Sequence, residues 1–329
     1  MSAAAAISYD RTDAARAAAA GGGARALFSA LFVVLWSTGF IAAKYGLPYA
    51  PPYTFLLYRF VCVAVLMVIV ALVTRAPWPR SGMQVLHVAV AAWFVHAGCL
   101  GGVFVAIAHG MPAGTTAMLV GLQPLVTVVI ARWWLDERVV PRQWLGLLLG
   151  IAGVYLVVRH KVDFGGDLAG LLPITIALFS ISVGTLYQKR YCASVDLRSG
   201  AAIQFASCAL VYAPIVLLAS ERPVDWTPQF VFALAWSVLV LSVGAISLLY
   251  WLLRHGGAAD VARLFYLVPP VTASMAFVLF GERLDAVALA GMALIAIAVA
   301  LVRRRDPRDG SLRPSRSDHD GRSAAASLP

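Results

Sequence analysis

Charge is scarce in this sequence: only 13% of its 329 residues are Asp, Glu, Lys or Arg, where a soluble domain carries about a quarter. A folded soluble enzyme needs a wetter surface than that. Cysteine is also sparse. Cys62, Cys99, Cys192 and Cys208 lie in or beside apolar runs, without the spacing of a metal site or a disulfide framework, and read as small apolar fillers. No nucleophile with His and acid, no metal cluster and no phosphate loop occurs in or near those runs. An enzyme is therefore disfavoured, and neither cofactor nor metal is expected. Nor does any acid fall mid-run, since all 16 Asp and Glu lie in tails, connections or run ends. This speaks against a proton or sodium antiporter built on a buried carboxylate, so facilitated or electrogenic flux is expected.

What is present is apolar. Hydrophobic side chains make up 61%, with a mean hydropathy of +0.82. A membrane-crossing helix takes roughly 20 apolar residues, so the chain could supply about ten crossings and little else. Pro, Gly and charge divide it into runs at 26–46, 53–73, 84–107, 113–134, 142–158, 167–189, 198–219, 229–254, 258–280 and 284–302. These lack strand alternation, and the expected fold is an all-α bundle of ten transmembrane helices. Residues 1–25 and 305–329 read as disordered tails, the second rich in Arg among Ser, Asp and Gly.

The net charge of +10 could signal nucleic acid, but its distribution fits topology better. Placing the N-terminus in the cytoplasm puts 20 Lys and Arg on that side and 4 on the other, with Lys44 at a border and Arg59 within a run. Positive residues accumulate inside. A multi-pass protein with both termini cytoplasmic follows, its partners being the bilayer and a small molecule rather than nucleic acid; a homodimer is compatible with this.

The two halves repeat at a shift of 145 residues. Leu119–Arg159 laid on Leu264–Arg304 gives 14 identities in 41 positions, including Pro124 with Pro269, Glu137 with Glu282 and Gly146 with Gly291. The same shift pairs Ser37 with Ser182, Gly39 with Gly184 and Lys44 with Lys189. Apolar bias does not align Pro, Glu, Gly and Lys. Five crossings per copy, an odd number, invert the second copy, which is the arrangement of secondary transporters.

The segment Leu35-Trp-Ser-Thr-Gly-Phe, the Tyr58-Arg-Phe of the second run, and Pro124, Asp136-Glu-Arg and Gly146 repeated as Pro269, Gly281-Glu-Arg and Gly291 resemble the two EamA repeats of the drug/metabolite transporter superfamily. The resemblance spans residues 26–159 and 167–304. It implies a carrier of the bacterial inner membrane, often an exporter of amino acids or other small metabolites. Import of a similar solute and a non-transporting scaffold or receptor are the alternatives, although a scaffold needs no inverted repeats.

Several residues are candidates for a substrate cavity. Arg59 lies about 9 Å inside the outer end of its helix at the helical rise. It either meets a substrate carboxylate, or snorkels to the outer interface or bonds to helix carbonyls. Ser37 and Lys44 share a helix face, as do Ser182 and Lys189, and the two lysines either attract an anion at each entrance or anchor helices at the interface. Thr116, Gln123 and Thr127 form a polar stripe beside Pro124. That proline frees the carbonyl of Val120, while Pro269 and Pro270 free those of Phe265 and Tyr266; these groups either meet substrate or are satisfied by neighbouring hydroxyls. His96 either faces substrate or bonds to a neighbouring helix, and Trp36 and Tyr266 are the aromatic residues expected at the cavity. Glu137 and Glu282 are expected to cap the helix that follows each.

Overall fold

The computed structural model describes residues 3–134, 141–163, 169–219, 221–255, 261, 264–282 and 286–302. Among them there is no strand. The helical segments, in chain order, are α1 (Ala3–Gly46), α2 (Pro52–Val73), α3 (Gly82–Ala108), α4 (Ala113–Trp134) and α5 (Pro141–Asp163). Then come α6 (Leu171–Tyr191), α7 (Leu197–Ala219), α8 (228–255), α9 (Val268–Phe280) and α10 (Ala286–Val302). Seven are long and apolar enough to cross a membrane, α9 and the Leu289–Val299 part of α10 being shorter apolar helices.

Local chemistry sets the boundaries. Pro52 and Pro228 open α2 and α8 at positions where a missing N–H costs nothing. The hydroxyls of Ser81 and Thr227 accept the N–H groups of Gln84 at 3.2 Å and Phe230 at 3.3 Å. Asp196 accepts from the backbone and guanidinium of Arg198 at the start of α7, which holds its carboxyl below the usual carboxylate range. Gly281 ends α9 with φ +67°, a left-handed cap that glycine adopts without strain. Residues 3–24, expected as part of a disordered tail, continue α1 as helix; alanine, which dominates this stretch, is the strongest helix former.

The bundle buries Phe32, Phe55, Phe60, Phe104 and Phe230 among small residues, and many other large apolar side chains face outward. Trp133 is 86% exposed and Leu218 83%. In water such a surface would drive association; in a bilayer it is the solvated face. The centre lies where α2 packs along α7. There Phe60 meets Phe205 at 6.1 Å and Tyr212 at 5.3 Å, and the Tyr212 hydroxyl donates to the Ala97 carbonyl of α3 at 2.9 Å.

The packing exchanges between repeats. Helix α1 packs on α9 while α6 packs on α4; α3 packs on α6 while α8 packs on α1. Helices α2 and α7, α4 and α9, and α5 and α10 each pack on their own repeat counterpart. Phe60 and Phe205 are themselves 145 positions apart, so the exchange centres on the α2–α7 contact.

Candidate functional site

Two helices are broken at equivalent places. In α4, helical residues Ala113–Val120 and Gln123–Trp134 are separated by a turn at Gly121 and Leu122. Before α9, a turn at Tyr266 and Leu267 occupies the positions 145 residues on. Pro124 and Pro269 follow each turn by two residues, removing a donor where the ladder would close. Cross-repeat serines sit at both breaks. Ser37 Oγ reaches the Val268 carbonyl at 3.3 Å as well as Val33 at 2.7 Å, and Ser182 Oγ reaches the Gln123 carbonyl at 3.5 Å as well as Leu178 at 2.7 Å. Interrupted helices in corresponding positions of two halves are where such folds place substrate.

Wide helical turns repeat as well. A π segment in α3 covers Trp93–Gly98 and one in α8 covers Trp236–Ala245; adding 145 to the first gives 238–243, inside the second. Such bulges persist where function offsets their cost.

Beside the α3 bulge lies the polar centre of the bundle. Arg59 of α2 is only 7% exposed, and its Nε has no hydrogen-bond partner among the described residues. Its neighbour Phe60 meets Phe205 of α7, the ring on which His96 of α3 stacks at 4.6 Å while its Nε2 meets Gln204 Oε1 at 3.2 Å. Gln204 is the repeat counterpart of Arg59, 145 positions on. A buried guanidinium with an open donor is costly, and an anion removes that cost. The burial of Arg59 differs from a snorkelling side chain, whose head would sit at the interface. For His96, the bond to a neighbouring helix is present.

The Thr127 and Thr272 hydroxyls, also 145 apart, are both buried without a partner among the described residues. Gln123 reaches across to Thr185 at 3.4 Å. Thr116 returns its hydroxyl to Pro112 at 2.9 Å, and the break after Val120 separates it from Gln123 and Thr127, so the expected stripe is not one continuous helix face. Trp36 packs among aromatics, edge-on to Phe265 at 5.1 Å. Tyr266 sits half-buried in the α9 turn.

At the end of α1, Lys44 Nζ donates to Glu282 Oε1 and lies over the Phe280 ring at 5.2 Å from its centroid. The same carboxylate accepts the N–H groups of Ala113 at 3.0 Å and Gly114 at 3.4 Å. Glu282 therefore caps α4, a helix of the other repeat. Lys189 is exposed, and Glu137 lies outside the described residues. Next to Lys44, a crevice of about 280 Å³ opens between α1, α8 and α9, lined mainly by apolar side chains such as Ile41, Phe232 and Leu279.

The model of the EamA-like transporter family matches residues 24–159 and again 168–304. The chain belongs to this family. It is a membrane transporter built of two EamA repeats. Among similar EamA relatives, the uncharacterized transporter YvbV of Bacillus subtilis is 27% identical over 84% of this chain and 90% of its own length. A probable amino-acid metabolite efflux pump of Salmonella typhimurium is 26% identical over 80% and 90%. A probable terminal-alkyne amino-acid exporter of Streptantibioticus cattleyicolor is 28% identical over 59% and 65%. The fold is shared with a solved crystal structure at a TM-score of 0.58 and 18% identity, covering 89% of this EamA chain and 99% of the other.

Three polar residues near the breaks and the polar centre escape sequence reasoning: Gln204, Thr185 and Thr272; in the α8 π segment, Ser237 is a further buried hydroxyl without a partner among the described residues. The shift of 145 could have flagged Gln204 from Arg59 and Thr272 from Thr127. Nothing in the sequence flags Thr185 or Ser237.

Proposed function

We propose that the protein is a secondary transporter that exports a small metabolite bearing a carboxylate, such as an amino acid or related organic acid. The observation that carries the substrate class is the Arg59 Nε, buried in the bundle without a partner among the described residues. A carboxylate is the small anion whose two oxygens match a guanidinium. The buried hydroxyls of Thr127 and Thr272 offer neutral donors for the rest of the molecule.

The transport cycle is alternating access across a bacterial inner membrane, with ten crossings as two inverted fives and both termini cytoplasmic. Its support is the exchange of contacts between repeats: when each half makes the other's contacts, a second state with the halves' roles reversed lies close in energy. Export as the physiological direction is favoured by the printed names of two relatives, an efflux pump and an exporter. Proteoliposomes loaded with amino acids, organic acids, nucleosides or amines test this: release of a carboxylate-bearing member supports it, and release of none, with a stable protein partner instead, would favour a scaffold.

A further inference from the structure

We infer that Lys44 and Glu282, together with the first turn of α4, form a gate that closes the transport path at the end of the bundle where α1 and α9 finish. Three helices converge there. Helix α1 is held to α9 by Ser37 and Val268, and α4 touches α9 so closely that a Cβ on Gly114 would lie 3.0 Å from the Ala273 backbone. Above these contacts one carboxylate joins all three, bonding Lys44 of α1, the amides of Ala113 and Gly114 of α4, and its own position at the end of α9.

The chemistry suits a contact that opens. The Lys44 side chain is 29% exposed while that of Glu282 is 9% exposed, so the lysine is the partner with room to leave, at a helix end where a lysine reaches interfacial water. When Lys44 leaves, Glu282 keeps its two amide bonds and stays at the positive end of α4, so no buried charge is orphaned. Gly281, in the left-handed region and with open space where a Cβ would stand, is the joint that aims the carboxylate across. Lys44 lies seven residues, about 10 Å at the helical rise, beyond Ser37 at the broken α9, so the ion pair stands between one surface of the bundle and the proposed site.

The gate rests on the alternating-access reading, and its test is independent of substrate. In a background whose native cysteines are replaced by alanine, a cysteine at Ala117, one turn inside the capped residues, is labelled in membrane vesicles by an impermeant maleimide applied at the α1–α9 end. Labelling is expected to be slow with Lys44 and Glu282 intact. It should be about tenfold faster in Lys44→Gln and in Glu282→Gln, the latter keeping an acceptor for the α4 amides. Reagent applied at the opposite end should show no such increase. A cysteine at Ser37 provides the same readout if Ala117→Cys does not fold. Equal labelling rates with and without the pair, in protein that transports, would overturn the gate and leave transport standing. Faster labelling in protein that moves no solute would support the gate and count against the carrier reading instead.

Discussion

Ser37 and Ser182 make the same bond in opposite directions across the molecule. The first hydroxyl reaches the Val268 carbonyl of the second repeat, and the other reaches Gln123 of the first, the donor and acceptor pairs each separated by 145 positions. Both serines are fully buried. Replacing either with alanine removes a neutral bond worth about 1 kcal/mol, and flux in proteoliposomes should fall mildly. Valine at either position adds bulk against a broken helix and should slow flux several-fold, by a similar factor at both sites. Full flux in Ser37→Val and Ser182→Val would mean these contacts do not move during transport.

Close helix contacts give a second expectation. A Cβ at Gly102 would stand 2.2 Å from the Pro173 carbonyl, and one at Gly184 would stand 2.7 Å from side-chain atoms of Phe94 and Val95. Gly102→Ala must shift backbone against backbone and should destabilise the bundle by about 1 to 3 kcal/mol, read as a lower melting temperature in detergent. Gly82→Ala, with nothing within 4 Å, should leave the melting temperature unchanged.

Much of this is legible in the sequence. Hydropathy finds the helices because lipid requires every backbone group to be paired within a segment. The shift of 145 marks the prolines that sit beside both helix breaks, and Arg59 and His96 stand out as polar groups in apolar runs. Partners across repeats were not legible. Glu282 sits beside its following helix in sequence, yet its carboxylate caps α4, since the end of α9 and the start of α4 meet only after the halves pack. Gln204 carries no charge and occupies an ordinary helical position; its meaning comes from facing His96 at 3.2 Å.

The His96–Gln204 bond fixes the imidazole between α3 and α7. Gln204→Leu removes the acceptor while keeping the volume, leaving one ring nitrogen without its partner. The Michaelis constant for a carboxylate substrate should rise by about tenfold, with the maximal rate less affected. Gln204→Glu instead places a carboxylate on α7, the helix packed against that of Arg59, and should compete with substrate for the guanidinium, weakening its binding further. An unchanged Michaelis constant in both variants would remove the pair from the site.

No carboxylate occupies a mid-span position in the sequence, so coupling through such a group is not expected. Counterflow of labelled substrate between liposome interior and medium should be the same with and without an imposed pH gradient. Accumulation driven by the gradient would require a proton carrier elsewhere, and Glu282 would be the first residue to replace.

The most direct measurement compares wild-type protein with Arg59→Gln in proteoliposomes of equal protein content, loaded with a labelled carboxylate-bearing substrate of the wild type. Arg59→Gln should insert and melt normally yet release that substrate at least about tenfold more slowly, the effect of losing one buried charge-assisted pair. Full-rate release by a correctly inserted Arg59→Gln protein would contradict carboxylate recognition at the centre of the bundle.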